Sequence, residues 1–333
     1  MPAVSPQPGL MQVTSPVTTE SLESLSMWGT IQFDGLNLNP KLNESDFRNI
    51  DAFLERRPDV TFRAYLLGFD EDDNLEFLQF LPNIRRFSLD SSHLLTDFEG
   101  LRFLPSELQM LGFGQTKKKL SLNFLGRFAG LRRLYLESHK KDLRVVSNLT
   151  YLQTLAITSL SLPDLTLFEP LSKLRTFGIY LGGTSNLAGL PNIGQIRRLD
   201  LVQIRGVTDL SPIADMPFLE YLLLQNLNRV EGLPSLKRLK NLKRVELTNV
   251  KGVTDLSPLL EAENLEEVAV YEARHLKPGA FDCLKEHRSL KRFSCATGSQ
   301  RADLNVINMI GLPLAGDRPM FPQEDQDDRG GNG

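Results

Sequence analysis

One spacing pattern of apolar residues recurs along most of this 333-residue chain and constrains its fold more than any other feature. The pattern is L-x-x-L-x-L, with other apolar residues allowed at the leucine positions, and successive copies start 21 to 25 residues apart. A period in this range predicts a repeat architecture. The eleven copies are Phe62-Tyr65-Leu67, Ile84-Phe87-Leu89, Leu108-Leu111-Phe113, Leu131-Leu134-Leu136, Leu152-Leu155-Ile157, Leu174-Phe177-Ile179, Ile196-Leu199-Leu201, Leu219-Leu222-Leu224, Leu242-Val245-Leu247, Leu265-Val268-Val270 and Leu290-Phe293-Cys295.

The best-preserved copies share a duplicated heptapeptide, GVTDLSP, which occupies residues 206–212 and recurs unchanged at 252–258. The surrounding segments, IRRLDLVQIRGVTDLSPIADMPF and LKRVELTNVKGVTDLSPLLEAEN, resemble leucine-rich repeats of the short class found in bacterial internalins and in a protein-phosphatase regulatory subunit. The resemblance covers about residues 60–296. It implies an α/β fold, a leucine-rich-repeat solenoid with a curved parallel sheet on its concave face and short helical or irregular turns on its convex face.

The chain departs from this family at the ninth position of the repeat, where the family usually has asparagine. Asn226 and Asn249 lie one residue earlier, and the ninth position itself is apolar in the better repeats, as Leu160, Ile204, Leu227 and Val250. We therefore expect apolar packing, rather than a ladder of asparagine side chains, to close the turn after each strand.

The repeat also predicts how the chain is divided, because a single repeat cannot bury its own leucines and the ends of an array need caps. In the N-terminal cap we expect an amphipathic helix over 45–57, begun by Ser45 or Asp46, with Phe47, Ile50 and Leu54 facing inward. The predicted segments are a disordered Ser/Thr/Pro-rich tail (1–27), an N-terminal cap (28–59), the solenoid (60–296), a candidate C-terminal cap (297–316) and a disordered acidic, Gly-rich tail (317–333).

Composition excludes several classes of protein. Two cysteines are too few for a disulfide framework, and no apolar run approaches the ~20 residues that cross a bilayer. The first basic residue is Lys41, so the start lacks the charged region of a secretory signal, and we expect a cytoplasmic protein. The four histidines fall in different repeats or on turns, none at metal-ligand spacing with a cysteine, and no cofactor, metal site or catalytic set is predicted. The sequence thus favours a non-enzymatic protein.

Tyrosines give the clearest indication of a binding surface. Strand side chains at the third, fifth and seventh repeat positions point away from the core and would line the concave face. Four of the six tyrosines occupy these positions and none of the 19 phenylalanines does: Tyr135, Tyr180, Tyr221 and Tyr271. Tyrosine is enriched at protein interfaces. We therefore predict that these tyrosines contact a protein or peptide, and that replacing Tyr180 and Tyr221 with alanine leaves stability nearly unchanged.

Charged residues of both signs flank the tyrosines on the same strands and complete the predicted contact set. They are Arg133, Arg198, Asp200, Arg244 and Glu246. Mixed charges around aromatic side chains favour a protein partner over nucleic acid or a membrane.

Two alternatives remain open. Residues 117–144 contain nine Lys or Arg against Glu137 and Asp142, a basic segment that could bind nucleic acid or another polyanion. The chain could also be a bacterial effector exported without a classical signal, using its repeats to recognise a host protein.

Overall fold

In a computed structural model of the protein, most strands begin at intervals that match the spacing of the apolar pattern in the sequence. The structure describes residues 9–23, 29–34, 41–65, 74–90 and 95–316. The strands are β1 (Leu10–Val13), β2 (Thr30–Asp34), β3 (Thr61–Tyr65), β4 (Arg86–Asp90), β5 (Met110–Phe113), β6 (Arg133–Glu137), β7 (Thr154–Thr158), β8 (Thr176–Tyr180), β9 (Arg198–Val202), β10 (Tyr221–Gln225), β11 (Arg244–Thr248), β12 (Glu267–Tyr271) and β13 (Arg292–Cys295).

Neighbouring strands pair in parallel and in chain order, from β1 to β7 and again from β8 to β13. The chain forms two compact units, Met1–Leu160 with Thr166–Leu174 and Ser161–Leu165 with Arg175–Gly333. In each unit the register places equivalent repeat positions side by side, so Leu222 pairs with Leu199 and Val245 in the second unit. The leucine positions of the second to eleventh copies are all buried, which confirms the predicted leucine-rich-repeat fold.

Short 3₁₀ helices and turns run on the side opposite the strands, as predicted for the second half of each repeat. The 3₁₀ helices are Glu76–Phe80, Glu99–Phe103, Leu122–Arg127, Leu143–Asn148, Thr166–Phe168, Leu190–Asn192, Ser211–Asp215, Ser257–Glu261 and Pro278–Glu286. The duplicated heptapeptide starts two of them in the same way. Asp209 accepts bonds of 2.8 Å from the Ser211 amide and hydroxyl, and Asp255 accepts the same two bonds from Ser257. The repeated sequence therefore encodes a repeated turn.

The turn after the strand explains why asparagine lies at the eighth rather than the ninth position. In seven consecutive repeats the eighth residue has a positive φ, a region in which asparagine is tolerated better than most residues. These residues are Ser138, Ser159, Leu181, Gln203, Asn226, Asn249 and Glu272. The ninth-position side chains that follow are buried, as in Leu227 and Val250, so the predicted apolar closure of the turn is confirmed.

The N-terminal segment differs from its prediction. Residues 1–27 were expected to be disordered, yet β1 and a short helix, α1 (Thr19–Glu23), lie within them. Met11 and Leu22 are buried, and β1 pairs with β2, so the sheet begins two strands before the eleven predicted ones. The local sequence is apolar enough to pack but lacks the repeat spacing. Residues 1–8, 24–28 and 317–333 lie outside the described residues.

The predicted N-terminal helix is present as α2 (Glu44–Arg56), with Phe47, Ile50 and Leu54 buried as expected. Its cap is Asn43, not Ser45 or Asp46. Asn43 accepts a bond from the Asp46 amide, and the Asp46 carboxylate accepts one from the Asn43 amide, which forms a capping box.

The register of the first predicted repeat was wrong by three residues. Phe62 lies beside Phe87, so it occupies the fourth position of its repeat, not the first, and Ala64 takes the sixth. The correct register was missed because the sixth position, which is a large apolar residue in most repeats, is the small Ala64 here. The corrected register moves Tyr65 to the seventh position, where it is half-buried on the side away from the core.

At the other end, α3 (Gln300–Ile310) packs on β13 and on the preceding 3₁₀ helix, within the segment predicted as a candidate cap. The chain then returns beside β13. The Phe293 amide donates to the Pro313 carbonyl at 2.9 Å, and the Ala315 amide donates to Ser294 Oγ at 3.0 Å. These bonds cover part of the outer edge of the last strand.

Candidate binding surface

The outward strand face, formed by strand side chains on the side away from the leucine core, carries a connected set of polar side chains in the second unit. We call this set the polar ladder. Its members are Tyr180, Arg198, Asp200, Tyr221, Arg244, Glu246, Glu267 and Arg292. Parallel register builds it, because Arg198, Tyr221, Arg244, Glu267 and Arg292 are direct neighbours on five adjacent strands.

The first part of the polar ladder is centred on Asp200, which is completely buried. Its carboxylate accepts a bond of 2.7 Å from the Tyr180 hydroxyl and bonds of 3.0 Å from Arg198 Nε and Nη2. Burial raises the pKa of Asp200, and the positive charge of Arg198 opposes that rise. The ion pair therefore compensates for a carboxylate that is removed from water.

Tyr221 links this ion pair to the next one. The guanidinium carbon of Arg198 lies 4.2 Å from the Tyr221 ring centroid, and that of Arg244 lies 5.8 Å from it, so the ring is placed between two cations. The Tyr221 hydroxyl donates to Glu246 Oε2 at 3.2 Å. Burial raises the pKa of Tyr221 to about 12, and the negative charge of Glu246 makes a smaller contribution in the same direction. The hydroxyl therefore remains a donor at neutral pH.

The last part of the polar ladder joins two carboxylates through Arg244, which is only 3% exposed. Its two terminal nitrogens donate to Glu246 and Glu267, and Glu267 also accepts a bond of 2.8 Å from Arg292. The Nε atom of Arg244 is the one buried side-chain nitrogen or oxygen among the described residues that has no hydrogen-bond partner. With three arginines and three carboxylates, the polar ladder is electrically balanced.

The structure thus brings together six of the nine predicted contact residues, Tyr180, Tyr221, Arg198, Asp200, Arg244 and Glu246. Two of the tyrosines are less accessible than expected, since Tyr180 is 5% exposed and Tyr221 8%. Both rings pack against neighbouring side chains of the same face. The expectation that alanine at these two positions leaves stability nearly unchanged is therefore replaced by an expected loss of stability.

The other predicted residues lie apart from the polar ladder. Tyr271 ends β12 and is half-buried beside Thr248 of β11. Tyr135 and Arg133 lie on β6 in the first unit, and both are half-buried. The first unit has a smaller polar group of its own, in which Arg63 donates to Asp90 at 2.7 Å and lies 5.2 Å from the Tyr65 ring.

One contributor that the sequence analysis missed is Gly178, which lies within β8. A Cβ atom at this position would lie 2.7 Å from the Tyr180 hydroxyl oxygen, so the missing side chain provides the space for the Tyr180 ring. A glycine inside a strand is a known indication that another group approaches closely. Glu267 and Arg292 were also left out of the predicted set, although they share the third repeat position with Arg198 and Arg244.

Within the described residues, no three His, Cys, Asp or Glu side chains are placed where they could together hold a metal ion. None of the helices in that part of the chain has the length and apolar character needed to span a membrane.

Comparison with known proteins identifies the fold. No family model matches the sequence, and no curated protein matches it either. Among solved structures, an internalin (inlF) of Listeria monocytogenes is 19% identical over 91% of this chain and 90% of its own, with a TM-score of 0.57. A chain of the Drosophila Toll–Spatzle complex is 13% identical over 89% of this chain, with a TM-score of 0.50, and this chain spans about half (48%) of it. At these identities the likeness shows the leucine-rich-repeat fold.

Proposed function

We propose that this leucine-rich-repeat protein is a non-enzymatic recognition protein that holds a protein or peptide on the outward strand face of β8–β13. The observation that carries the proposal is the polar ladder. It places three arginines, three carboxylates and two tyrosines at strand positions that the leucine core does not use.

Stability alone does not account for such an arrangement. Charged groups removed from water cost free energy that their pairing only partly recovers, and apolar side chains at the same positions would often stabilise a fold equally well. Arg244 even retains one buried nitrogen without a partner. A set of buried charges held at this cost is better explained by a need to fix the exposed members of the face, such as Arg292, for contact with another molecule.

The polar ladder also holds its side chains in fixed positions before a partner arrives. Association costs free energy when flexible side chains become ordered, so a preorganised surface binds more strongly for the same area. Arg198 is fixed by Asp200 and the Tyr221 ring, and Arg292 is fixed by Glu267. Tyr180 and Tyr221 then act as positioning residues below the surface.

The side chains of this face that reach solvent indicate the chemistry of the partner. Arg292 is 56% exposed, and Arg198, Glu246 and Tyr271 are partly exposed. A face with both charges and an aromatic ring suits a polar protein surface or an extended peptide with charges of both signs. The Toll–Spatzle structure is itself a protein–protein complex, and we extend that kind of role to this chain.

The test compares two double variants by affinity capture. Tyr271→Ala/Arg292→Ala removes accessible side chains from the proposed face. Tyr151→Ala/Arg238→Ala removes the same side-chain types from positions that are exposed but lie outside the strands. The expected result is that the wild type and the second variant retain a common protein partner, whereas the first loses it. For the purified partner, we expect the Kd of the first variant to rise about tenfold or more.

The second variant should melt within about 2 °C of the wild type, because both of its side chains are exposed. The first variant removes a half-buried ring and one partner of Glu267, so it should melt at a lower temperature but remain folded at the temperature of the assay. Equal retention of the partner by both variants would show that the outward strand face of β8–β13 is not the binding surface.

A further inference from the structure

Two neighbouring loops of the first unit carry a concentrated positive charge that the proposed function does not use. One follows β5 (residues 114–121) and the other follows β6 (138–144). Hydrogen bonds hold the loops side by side. His139 Nε2 lies 2.9 Å from the Gly114 carbonyl, and the Leu122 amide donates to the Lys141 carbonyl at 3.1 Å. The Ser121 hydroxyl donates to the Asp142 carboxylate.

Six basic side chains are exposed on this pair of loops, which we call the basic loop pair: Lys117, Lys118, Lys119, Lys140, Lys141 and Arg144. None of them belongs to an ion pair in the described part of the chain, where basic residues such as Lys240 and Lys291 do form such pairs. The nearest carboxylates, Glu137 and Asp142, already accept bonds from Gln115 and Ser121. The whole chain, in contrast, has a net charge of −3.

The structure separates this cluster from the other basic residues of the 117–144 segment. Arg132 and Arg133 lie at the start of β6, the opposite end of the strand from the basic loop pair. Arg127 donates to the carbonyls of Arg102 and Leu104 on the helical side. The positive charge is thus grouped by the fold at the carboxyl ends of β5 and β6.

The surroundings of the basic loop pair indicate which polyanion it fits. An open depression next to it is lined by Lys140, Arg144, Asn123, Ser147 and Asn148, together with Asp142 and three apolar side chains, so its lining combines two cations, neutral hydrogen-bond groups and one carboxylate. Proteins that bind single-stranded nucleic acid present exposed aromatic rings for base stacking. Between residues 114 and 144, Phe124 is half-buried against Phe113 and Phe128, Phe128 is itself buried, and Tyr135 lies within β6, so the loops present no exposed aromatic ring of this kind.

We propose that the basic loop pair binds a sulfated polysaccharide, with the lysines and Arg144 contacting sulfate groups and the polar side chains of the depression contacting sugar hydroxyls. Most of the cations are lysines, which act as point charges on flexible stems and suit sulfates at variable spacing along a chain. Binding through several charges releases counterions and is therefore weakened by salt.

The test measures binding of a size-defined heparin oligosaccharide to the full chain at several salt concentrations. In the loop variant, Lys117, Lys119, Lys140 and Lys141 become glutamine. In the matched control, Lys240, Lys243, Lys285 and Lys291 become glutamine, which changes the net charge equally at exposed, ion-paired sites. We expect the Kd of the loop variant to rise about tenfold or more, and its dependence on salt to weaken, while the control stays within about twofold of the wild type.

Three results would overturn the proposal: no binding by the wild type at low salt, equal losses in the two variants, or tighter binding of a single-stranded RNA of equal charge at the same lysines. The assay contains no protein partner, so its outcome is independent of the function proposed for the outward strand face.

Discussion

At the scale of single residues, the polar ladder depends on a position that has no side chain. Replacing Gly178 with alanine would place a methyl group against the ring and hydroxyl of Tyr180. We expect the ring to shift, the bond from Tyr180 to Asp200 to weaken, and the free energy of unfolding to fall by about 1–3 kcal/mol, as in other overpacked sites. Urea or thermal denaturation measures the change.

Gly232→Ala is the matched control for this prediction, because a Cβ atom there meets nothing within 4 Å. Its stability should equal or slightly exceed that of the wild type. If Gly178→Ala were as stable as Gly232→Ala, the Tyr180 ring would not be held in the position described.

His139 is a second residue whose environment leads to a measurable effect. It occupies the ninth repeat position, which is apolar in the better repeats, and it is 4% exposed. Burial lowers its pKa below the usual 6.5, although the Gly114 carbonyl and Glu137 oppose that change. The unfolded chain therefore binds a proton more readily than the folded chain does, so stability is lost as the pH falls below about 6.5.

We expect the melting temperature to fall between pH 7.5 and pH 5.5, and to fall less in a His139→Leu variant. The variant also loses the contact with Gly114, so its melting temperature at pH 7.5 serves as its own reference. An identical decline in both proteins would assign the pH dependence to other groups.

Repeat position predicted which residues share a face but not how far each is buried. Strand alternation alone placed Tyr180 and Tyr221 on the side away from the core, which the structure bears out. Their burial depends on side chains from three neighbouring strands, including the space left by Gly178 and the stacking of Arg198 on Tyr221. Such packing is set by pairwise contacts that a one-dimensional pattern does not contain.

At the scale of elements, the first strand and helix are the part of the structure that the sequence analysis missed. The Val17 amide donates to Asp46 at 2.7 Å and Asn49 donates to the Val17 carbonyl at 2.9 Å, so the segment is fastened to α2. Leu22, on α1, is completely buried. We expect Leu22→Ala to lower the free energy of unfolding by about 2–5 kcal/mol, measured by denaturation.

The exposed neighbour Glu20 provides the control, since Glu20→Ala should change stability by less than about 0.5 kcal/mol. If Leu22→Ala left the free energy of unfolding unchanged, that result would instead support a disordered start to the chain. The sequence pattern did not reveal this part because α2 occupies the interval between β2 and β3 and interrupts the period.

At the scale of the whole molecule, the repeat period was sufficient to predict the fold, because the spacing of leucines decides which residues can share a core. It could not predict how charge is distributed over the surface. A net charge of −3 gives no hint that six exposed cations lie on two adjacent loops, or that three arginines and three carboxylates balance one another across the strands of the second unit. Those groupings arise only when residues some 23 positions apart become neighbours in register.

The duplicated heptapeptide has a consequence for how a gene encoding this chain could change in length. If residues 206–251 were copied in tandem, Lys251 would be followed by Gly206, which begins the same seven residues that follow it now at Gly252. Both junctions would read as native sequence, and the insertion would add two whole repeats with their strands in register. Unequal recombination at this site could therefore lengthen or shorten the protein in steps of 46 residues while leaving every turn intact.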